Sequence, residues 1–257
     1  MNIIKTTYFD DQKPGTSGLR KKTKVFTKKN YLENYVQCLF NSIPELIGGT
    51  LVLGGDGRYF NKEAIQKIVG MASANGVSKV ILGRNGLLST PAVSCIIRKY
   101  QADAGIILSA SHNPGGIEGD FGIKLNGSNG GPVNEQITNK IYEQTKLIRN
   151  YKIVQDVQIN MNTLGSFDFM GMSIEIIDSV DDYANLMSSI FDFEAIKRLF
   201  STEFTFCFDA MNAVTGPYAN EIFINRLGAP ATSIINSTPT EDFGGLHPDP
   251  NYRNARE

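Results

Sequence analysis

The chain has 257 residues, of which 41% are hydrophobic and 20% are charged, and its formal net charge at pH 7 is −1. These values are typical of a globular protein with one large or two modest domains, and the near-zero charge excludes a global field that would recruit nucleic acid or an anionic membrane. No apolar run approaches the length of a membrane helix and residues 1–5 do not resemble a signal peptide, so we expect a cytoplasmic protein without nucleic-acid partners or membrane insertion.

The first predicted elements flank a glycine-rich loop. Residues 15–18 (Gly-Thr-Ser-Gly) place two hydroxyls between two glycines, and Arg20 follows shortly after. A plain turn that leads into a strand is the simplest interpretation of this loop. Residues 30–39 then predict a helix with Asn30 as its N-cap.

Strands and helices alternate over the next part of the chain. The predicted strands are residues 50–53, 80–82 and 105–108, the predicted helix N-caps are Asn61 and Thr90, and Gly76 is the predicted C-cap. This alternation predicts a mainly parallel sheet with helices on both faces.

The loop at residues 54–58 (Gly-Gly-Asp-Gly-Arg) lacks the Gly-x-Gly-x-x-Gly spacing of a dinucleotide site. We expect Asp56 and Arg58 to form a local ion pair or to hold the loop. The three cysteines, Cys38, Cys95 and Cys207, match neither a metal spacing nor a disulfide framework, and we expect buried reduced thiols.

A polar loop follows the predicted strand at residues 105–108. It carries Ser109, Ser111, His112 and Asn113 and ends in Pro-Gly-Gly at residues 114–116. A hydroxyl just past the end of a buried strand lies where open α/β sheets place their ligands, and glycines let backbone N–H groups approach an anion. The loop therefore suits a serine that carries or receives a phosphoryl group.

The next strand, predicted at residues 121–126, alternates apolar residues with Gly122, Lys124 and Asn126. Lys124 would point away from the apolar face, where its ammonium could steady a phosphate or move a proton. A role as counter-charge alone is nearly as well supported, because a lysine needs burial or nearby positive charge to act as a base at pH 7.

The rest of the chain predicts further elements of both kinds. The predicted helices are residues 134–149, a helix capped by Ser179 with Leu186, Met187 and Ile190 inward, 194–200 and 217–227, and the predicted strands are 151–154, 173–177, 204–208 and 233–235. We therefore expect an α/β fold in which residues 1–185 form a mixed, mainly parallel sheet with helices on both faces. Residues 186–257 would begin a second, similar α/β domain.

Five motifs occur along the chain in a fixed order. They are residues 15–20 (Gly-Thr-Ser-Gly-Leu-Arg), 54–58 (Gly-Gly-Asp-Gly-Arg), 89–93 (Ser-Thr-Pro-Ala-Val), 109–116 (Ser-Ala-Ser-His-Asn-Pro-Gly-Gly) and 242–245 (Asp-Phe-Gly-Gly). In this order they resemble the N-terminal part of the α-D-phosphohexomutase family, and most closely its phosphoglucomutase branch. Residues 109–116 resemble the phosphoserine loop of that family.

The resemblance implies an isomerase, a phosphoglucomutase that converts glucose 1-phosphate reversibly to glucose 6-phosphate through a phosphoserine enzyme and glucose 1,6-bisphosphate. It assigns the catalytic positions to Ser111, His112 and Lys124, with Ser111 as the phosphorylated nucleophile. It assigns substrate-binding positions to Thr16, Ser17, Arg20 and Asn113.

The two histidines also raise a rival interpretation. Ser111-His112 could belong to a hydrolase, but the loop is not Gly-x-Ser-x-Gly, and neighbours in sequence seldom face one another. We therefore expect His112 to orient the phosphate or the sugar hydroxyls, and His247 to be structural.

The resemblance further implies Mg²⁺, held by the phosphoserine oxygen and by three aspartates of an Asp-Gly-Asp-Gly-Asp loop. Ser111, through its phosphate, is the ligand that this sequence offers, and no Asp-Gly-Asp-Gly-Asp run occurs in it. One ligand would not retain Mg²⁺. The family's sugar-discriminating loop and distal phosphate-binding domain are also missing, so we expect a truncated chain that is inactive alone.

Two alternatives stay open. Because the sugar-discriminating loop is missing, a phosphomannomutase or another hexose specificity also fits the sequence. Some family members, similar to parafusin or aciculin, act as non-catalytic partners in membrane trafficking or the cytoskeleton. An intact Ser111-His112 pair and Lys124 argue against a loss of chemistry but leave room for a second role.

Overall fold

The computed structural model describes residues 1–15 and 17–249. The strands are β1 Asn2–Lys5, β2 Leu19–Lys22, β3 Thr50–Gly55, β4 Lys79–Leu87, β5 Ala104–Leu108, β6 Asp120–Gly127, β7 Asn150–Ile153, β8 Gly165–Phe169, β9 Met172–Ile177, β10 Phe208–Asp209 and β11 Ile234–Ile235. The helices are α1 Thr23–Phe26, α2 Tyr31–Ser42, α3 Asn61–Ala74, α4 Thr90–Tyr100, α5 Glu135–Leu147, α6 Ser179–Ile190, α7 Phe193–Phe200 and α8 Thr215–Ala219, which a π-helical stretch, Asn220–Arg226, continues.

Seven strands form one mixed sheet in the order β2-β6-β5-β3-β4-β9-β8. The central strands β5, β3, β4 and β9 are parallel, whereas β2, β6 and β5 at one end and β9 and β8 at the other pair antiparallel. Strand β5 is buried throughout and β3 nearly so, because elements cover both faces of the sheet. The predicted mixed, mainly parallel sheet is confirmed.

Each face of the sheet has its own apolar core. Side chains of α2, α3 and α5 pack on one face, and side chains of α4 and α8 pack on the other. Along β3, Leu51 and Leu53 enter the first core and Val52 enters the second, as the alternation of a strand requires.

The C-terminal part of the described chain contains a short parallel pair of strands. Strands β10 and β11 pair over two residues each, which is less than the predicted strands at 204–208 and 233–235. The rings of Phe204 and Phe206 stack instead on Phe200, with centroids 6.0 and 5.1 Å from that of Phe200 and 6.2 Å from each other. The domain division after residue 185 stays a prediction.

Several predicted helix starts are wrong by one residue. Ser89 rather than Thr90 caps α4, since its Oγ accepts from the Ala92 N–H, and Asp178 rather than Ser179 caps α6. Asn61 lies inside α3 and donates to the Gly86 carbonyl. Asn30 precedes α2 but does not cap it, because its backbone is left-handed and its side chain accepts from the Tyr151 hydroxyl.

Other local predictions also differ from the structure. Strand β4 runs on to Leu87, because that residue pairs with Gly55 of β3, and β8 was not predicted. Ile190 is 60% exposed at the end of α6, and Cys207 is exposed, whereas Cys38 and Cys95 are buried as expected. Within residues 1–15 and 17–249, no helix has the length and apolar character needed to cross a bilayer.

Candidate active site

The carboxyl ends of β3 and β5 meet at one edge of the sheet. The two strands are parallel neighbours that end with Gly55 opposite Leu108, and the N–H of Asp56 donates to the Leu108 carbonyl at 3.1 Å. The loop after β3 (residues 56–60) therefore lies beside the loop after β5 (residues 109–116), which we call the serine loop. Open α/β sheets bind ligands at such an edge.

Ser111 is exposed on the serine loop and has a left-handed backbone with φ of 58°. Its N–H donates to Ser109 Oγ at 3.0 Å. Its Oγ lies 3.4 Å from Nδ1 of His112, so these sequence neighbours do approach each other, contrary to expectation. The contact is longer than the roughly 2.7–3.0 Å of a strong hydrogen bond, so the serine and the imidazole are not tightly paired.

Arg58 is fully buried beneath the serine loop. Its guanidinium pairs with the Asp56 carboxylate, with Nε 3.0 Å from both oxygens and Nη2 2.9 Å from Oδ2, which confirms the predicted ion pair. The other guanidinium hydrogens donate to backbone carbonyls, from Nη2 to Ser111 at 2.8 Å and from Nη1 to Asp120 at 2.6 Å. The planar guanidinium of Arg58 thus connects the loop after β3 by hydrogen bonds to the serine loop and to the start of β6.

Arg20 on β2 reaches the serine loop through Asn113. Its Nη1 donates to Asn113 Oδ1 at 3.3 Å, and Asn113 Nδ2 donates to Asp120 Oδ2 at 2.6 Å. Lys22 pairs with the other Asp120 oxygen at 2.9 Å. Burial acts to raise the pKa of Asp120, but the hydrogen bonds from Lys22 and Asn113 outweigh it and the pKa is lowered. Both ends of the Asn113 amide are therefore engaged with protein groups.

Lys124 on β6 is half-buried near the same cluster. Burial lowers the pKa of its ammonium, and the positive charges of Arg20 and Arg58 lower it further, against the opposing effect of Asp56. A lowered pKa increases the neutral fraction of the amine, which is the form that can accept a proton.

The glycine-rich loop at residues 15–18 approaches Lys124 closely. Gly18 has φ of 86°, and a Cβ on it would lie 2.2 Å from the Ile123 carbonyl oxygen and 2.9 Å from Lys124 Cα. Ser17 and Lys124 both line a cavity of about 220 Å³. Ser17 therefore lies beside Lys124 in a cavity whose lining does not include Ser111, and Arg20 is joined to the serine loop through Asn113, while Thr16 lies outside the described residues.

A C-terminal segment, residues 240–247, packs on the serine loop. The Glu241 carbonyl accepts from the N–H groups of Tyr59 and Gly116 at 2.8 and 3.0 Å. The Phe243 ring is 1% exposed and lies 5.1 Å from the Arg58 guanidinium carbon. His247 reaches within 6.4 Å of His112, measured between ring centroids.

Reasoning from single residues did not identify this packing. Glu241 and Phe243 were not predicted as site residues, because their contacts with Gly116 and Arg58 join positions more than a hundred residues apart. Asp120 was not predicted either, although its partner Asn113 lies only seven residues before it. The motif at residues 242–245 was the one available signal. It belongs to the five motifs that occur in the order of the resembled family, and motifs that occur together in this way often contribute to one site.

The described residues do not by themselves suit Mg²⁺. Within residues 1–15 and 17–249, no three His, Cys, Asp or Glu side chains gather as a possible ion site. Asp56 and Asp120 both lie near the serine loop, but their oxygens are held by Arg58, Lys22 and Asn113. A phosphate on Ser111 would be the one oxygen ligand offered by this cluster, and Mg²⁺ requires near-octahedral coordination.

Comparison with known proteins relates this chain to one family. The family model for phosphoglucomutase/phosphomannomutase, alpha/beta/alpha domain I, matches residues 11–152. The chain is 55% identical to a phosphoglucomutase of Rhizobium radiobacter over 257 residues, which are 100% of this chain and 47% of that protein. It is 54% identical to a probable cytoplasmic phosphoglucomutase of Arabidopsis thaliana, covering 100% of this chain and 46% of the relative. The chain thus spans about half the length of the curated relatives that it matches.

Solved structures share the fold. The open form of pp63/parafusin, a phosphoglucomutase from Paramecium, superimposes with a TM-score of 0.95 at 45% identity, over 99% of this chain and 48% of that one. A phosphomannomutase described as putative, from Thermus thermophilus, gives a TM-score of 0.71 at 20% identity, over 98% of this chain and 51% of that one, which supports the fold alone. Together with the match over residues 11–152, these similarities show that the chain belongs to the phosphoglucomutase/phosphomannomutase family.

Proposed function

We propose that the chain carries the phosphoryl-transferring site of a phosphoglucomutase, with Ser111 as the residue that holds the phosphoryl group. The observation that carries the proposal is the exposed Ser111 hydroxyl at the carboxyl edge of the sheet, on a loop held by the buried Arg58. The guanidinium of Arg58 donates to the Ser111 carbonyl, and that of Arg20 donates to Asn113 of the same loop. Phosphoryl transfer depends mainly on in-line positioning and on neutralised phosphate charge.

In the proposed cycle, phosphorylated Ser111 first donates its phosphoryl group to the O6 hydroxyl of glucose 1-phosphate. The bond from phosphorus to the serine oxygen breaks, a bond to O6 forms, and the proton of O6 passes through Lys124 to the serine oxygen. Glucose 1,6-bisphosphate then turns over in the site. Ser111 takes the phosphoryl group from O1, its proton returns through Lys124 to O1, and glucose 6-phosphate leaves.

The neighbouring side chains have distinct proposed roles. The lowered pKa of Lys124 supports a proton-transferring amine. Arg20 would bind phosphate oxygens, because a guanidinium fork matches their geometry. His112 would contact the phosphoryl group on Ser111, and Ser17 and Thr16 would contact the substrate. Mg²⁺ belongs to the proposal as the ion implied by family membership, and the described residues offer it one oxygen ligand.

Glucose is the favoured sugar. Relatives at 51–55% identity are phosphoglucomutases, whereas the phosphomannomutase structure is 20% identical. The Paramecium relative is called both a phosphoglucomutase and an exocytosis-sensitive phosphoprotein, which favours a second role beside the same serine chemistry. Relatives from Arabidopsis and pea are cytoplasmic, and we propose the same location here.

The proposal is tested with the full-length gene product. Incubation with labelled glucose 1,6-bisphosphate and Mg²⁺ should add one phosphate, and peptide mapping should place it on Ser111. Conversion of glucose 1-phosphate to glucose 6-phosphate should be abolished in Ser111→Ala.

A matched control is Ser128→Ala, since Ser128 is also an exposed serine of the same unit and lies away from the serine loop. Ser128→Ala should keep both the label and the turnover. Label on another residue, or turnover by Ser111→Ala at the wild-type rate, would contradict the assignment.

A further inference from the structure

Ser111 has an unusual backbone for a residue with a side chain. Its φ of 58° lies in the left-handed region, which residues other than glycine, asparagine and aspartate rarely occupy. Such a conformation costs on the order of 1 kcal/mol and persists only when the surroundings hold it. The question is therefore which groups hold Ser111 in it.

Two groups bind the backbone of Ser111 from opposite sides of the residue. Ser109 Oγ accepts from the Ser111 N–H at 3.0 Å, and Arg58 Nη2 donates to the Ser111 carbonyl at 2.8 Å. Both groups are buried, since Ser109 is 6% exposed and Arg58 is 1% exposed. A rotation of Ser111 into the extended or right-handed region would turn its N–H and carbonyl away and leave both partners buried without them.

The partners of Ser111 are themselves fixed. The N–H of Ser109 donates to the Gly122 carbonyl on β6 at 2.9 Å, and the ion pair with Asp56 holds Arg58. The Phe243 ring, from the C-terminal segment, lies against the guanidinium of Arg58. By holding the backbone of Ser111, these contacts fix the direction of its Cα–Cβ bond. Rotation about that bond sets the position of Oγ, which lies 3.4 Å from Nδ1 of His112.

We propose that Ser109 and Arg58 are positioning residues that keep Ser111 in its left-handed conformation and so direct the Cα–Cβ bond that carries its reacting oxygen for in-line phosphoryl transfer. The inference rests on the proposed function of Ser111. A displacement of the reacting atom by about 1 Å can cost about a hundredfold in rate, so a lost backbone contact should reduce turnover without removing any group that touches the sugar.

The test uses three variants of the full-length gene product. Ser109→Ala removes the acceptor, Ser109→Thr keeps a hydroxyl at that position, and Ser42→Ala is the matched control. Ser42 is also a buried serine whose hydroxyl makes one backbone hydrogen bond, to the Cys38 carbonyl at 2.7 Å, but it lies on α2 away from the serine loop. Measurements are kcat and KM for glucose 1-phosphate, phosphate on Ser111, and hydrogen exchange of the Ser111 amide.

Ser109→Ala should lower kcat about tenfold, the equivalent of one hydrogen bond, and leave KM within about twofold. It should also speed the exchange of the Ser111 amide by at least about tenfold. Ser109→Thr should restore both values towards wild type, and Ser42→Ala should change neither, even where it lowers the melting temperature.

Different results would overturn different claims. Wild-type kcat and unchanged amide exchange in Ser109→Ala, with phosphate on Ser111, would refute the positioning role and leave the proposed function intact. Equal losses of kcat in Ser109→Ala and Ser42→Ala would also refute it, because they would reflect general destabilisation. A wild-type protein that neither converts the sugar phosphate nor carries phosphate on Ser111 would refute the proposed function itself.

Discussion

Replacing Arg58 by methionine would remove a buried positive charge while keeping most of the volume of the side chain. Arg58→Met would leave the Asp56 carboxylate, which is 10% exposed, without its partner. It would also remove the hydrogen bonds that the carbonyls of Ser111 and Asp120 accept from the guanidinium. The variant therefore tests whether this guanidinium holds the carboxyl edge of the sheet together.

The expected cost is large. Removal of one partner of a buried ion pair typically costs about 3–5 kcal/mol, because the other charge stays buried and uncompensated. We expect about 4 kcal/mol, which is a large share of the roughly 5–15 kcal/mol that stabilises a typical domain. With a urea m-value of about 2 kcal/mol per molar, the unfolding midpoint should fall by about 2 M.

The assay is equilibrium unfolding of the 257-residue chain in urea, followed by circular dichroism. Arg84→Met is the matched control, because Arg84 also pairs with an aspartate, Asp178 at 3.2 Å, but is 49% exposed. Exposed pairs contribute at most about 1 kcal/mol, so this control should move the midpoint by less than about 0.5 M.

A second variant tests the cause of the loss. Asp56→Asn combined with Arg58→Met removes both charges and should be more stable than Arg58→Met alone. Equal midpoints for Arg58→Met and Arg84→Met would refute the role of the buried charge. A double variant no more stable than Arg58→Met would show that the lost carbonyl contacts, rather than the unpaired carboxylate, dominate.

Two further predictions concern the neighbouring loop and strand. Gly18→Ala places a Cβ 2.2 Å from the Ile123 carbonyl oxygen at φ of 86°, so it should lower the free energy of unfolding in urea by on the order of 2 kcal/mol. The control Gly48→Ala, with φ of 75° and open space around it, should lower it by about 1 kcal/mol. Equal losses in the two variants would contradict the close approach at Gly18. Because burial and the nearby arginines lower the pKa of Lys124, the charged lysine destabilises the fold at neutral pH, and Lys124→Met should raise the urea midpoint there. That gain should shrink as the pH rises from the lowered pKa of Lys124 to the ordinary lysine value, since both folded and unfolded chains then carry a neutral amine; a gain that grows with pH would rule out the assigned cause.

Apolar periodicity predicted most helices and strands of the main sheet, but it placed their first and last residues less accurately. Strands β3 and β5 are short, continuous apolar runs that lie between predicted helices in the sequence. Such a run is typical of a parallel strand that is buried on both faces. Helix starts were wrong by one residue because Ser89 and Thr90 can both cap, and the choice depends on which hydroxyl meets a free N–H. Strand β8 was missed because it is short and largely exposed, and its two phenylalanines, Phe167 and Phe169, are the only apolar residues in it.

The sequence alone determined the polar loop after β5 and the order of motifs that identifies the family, because both depend on residue type and position along the chain. The tertiary structure decided what holds that loop. The contacts of Arg58 with Ser111 and of Phe243 with Arg58 join residues 53 and 185 positions apart, and no local pattern encodes which distant carbonyl or ring a buried guanidinium will meet. That choice follows from the strand order of the sheet, which places the ends of β3 and β5 side by side.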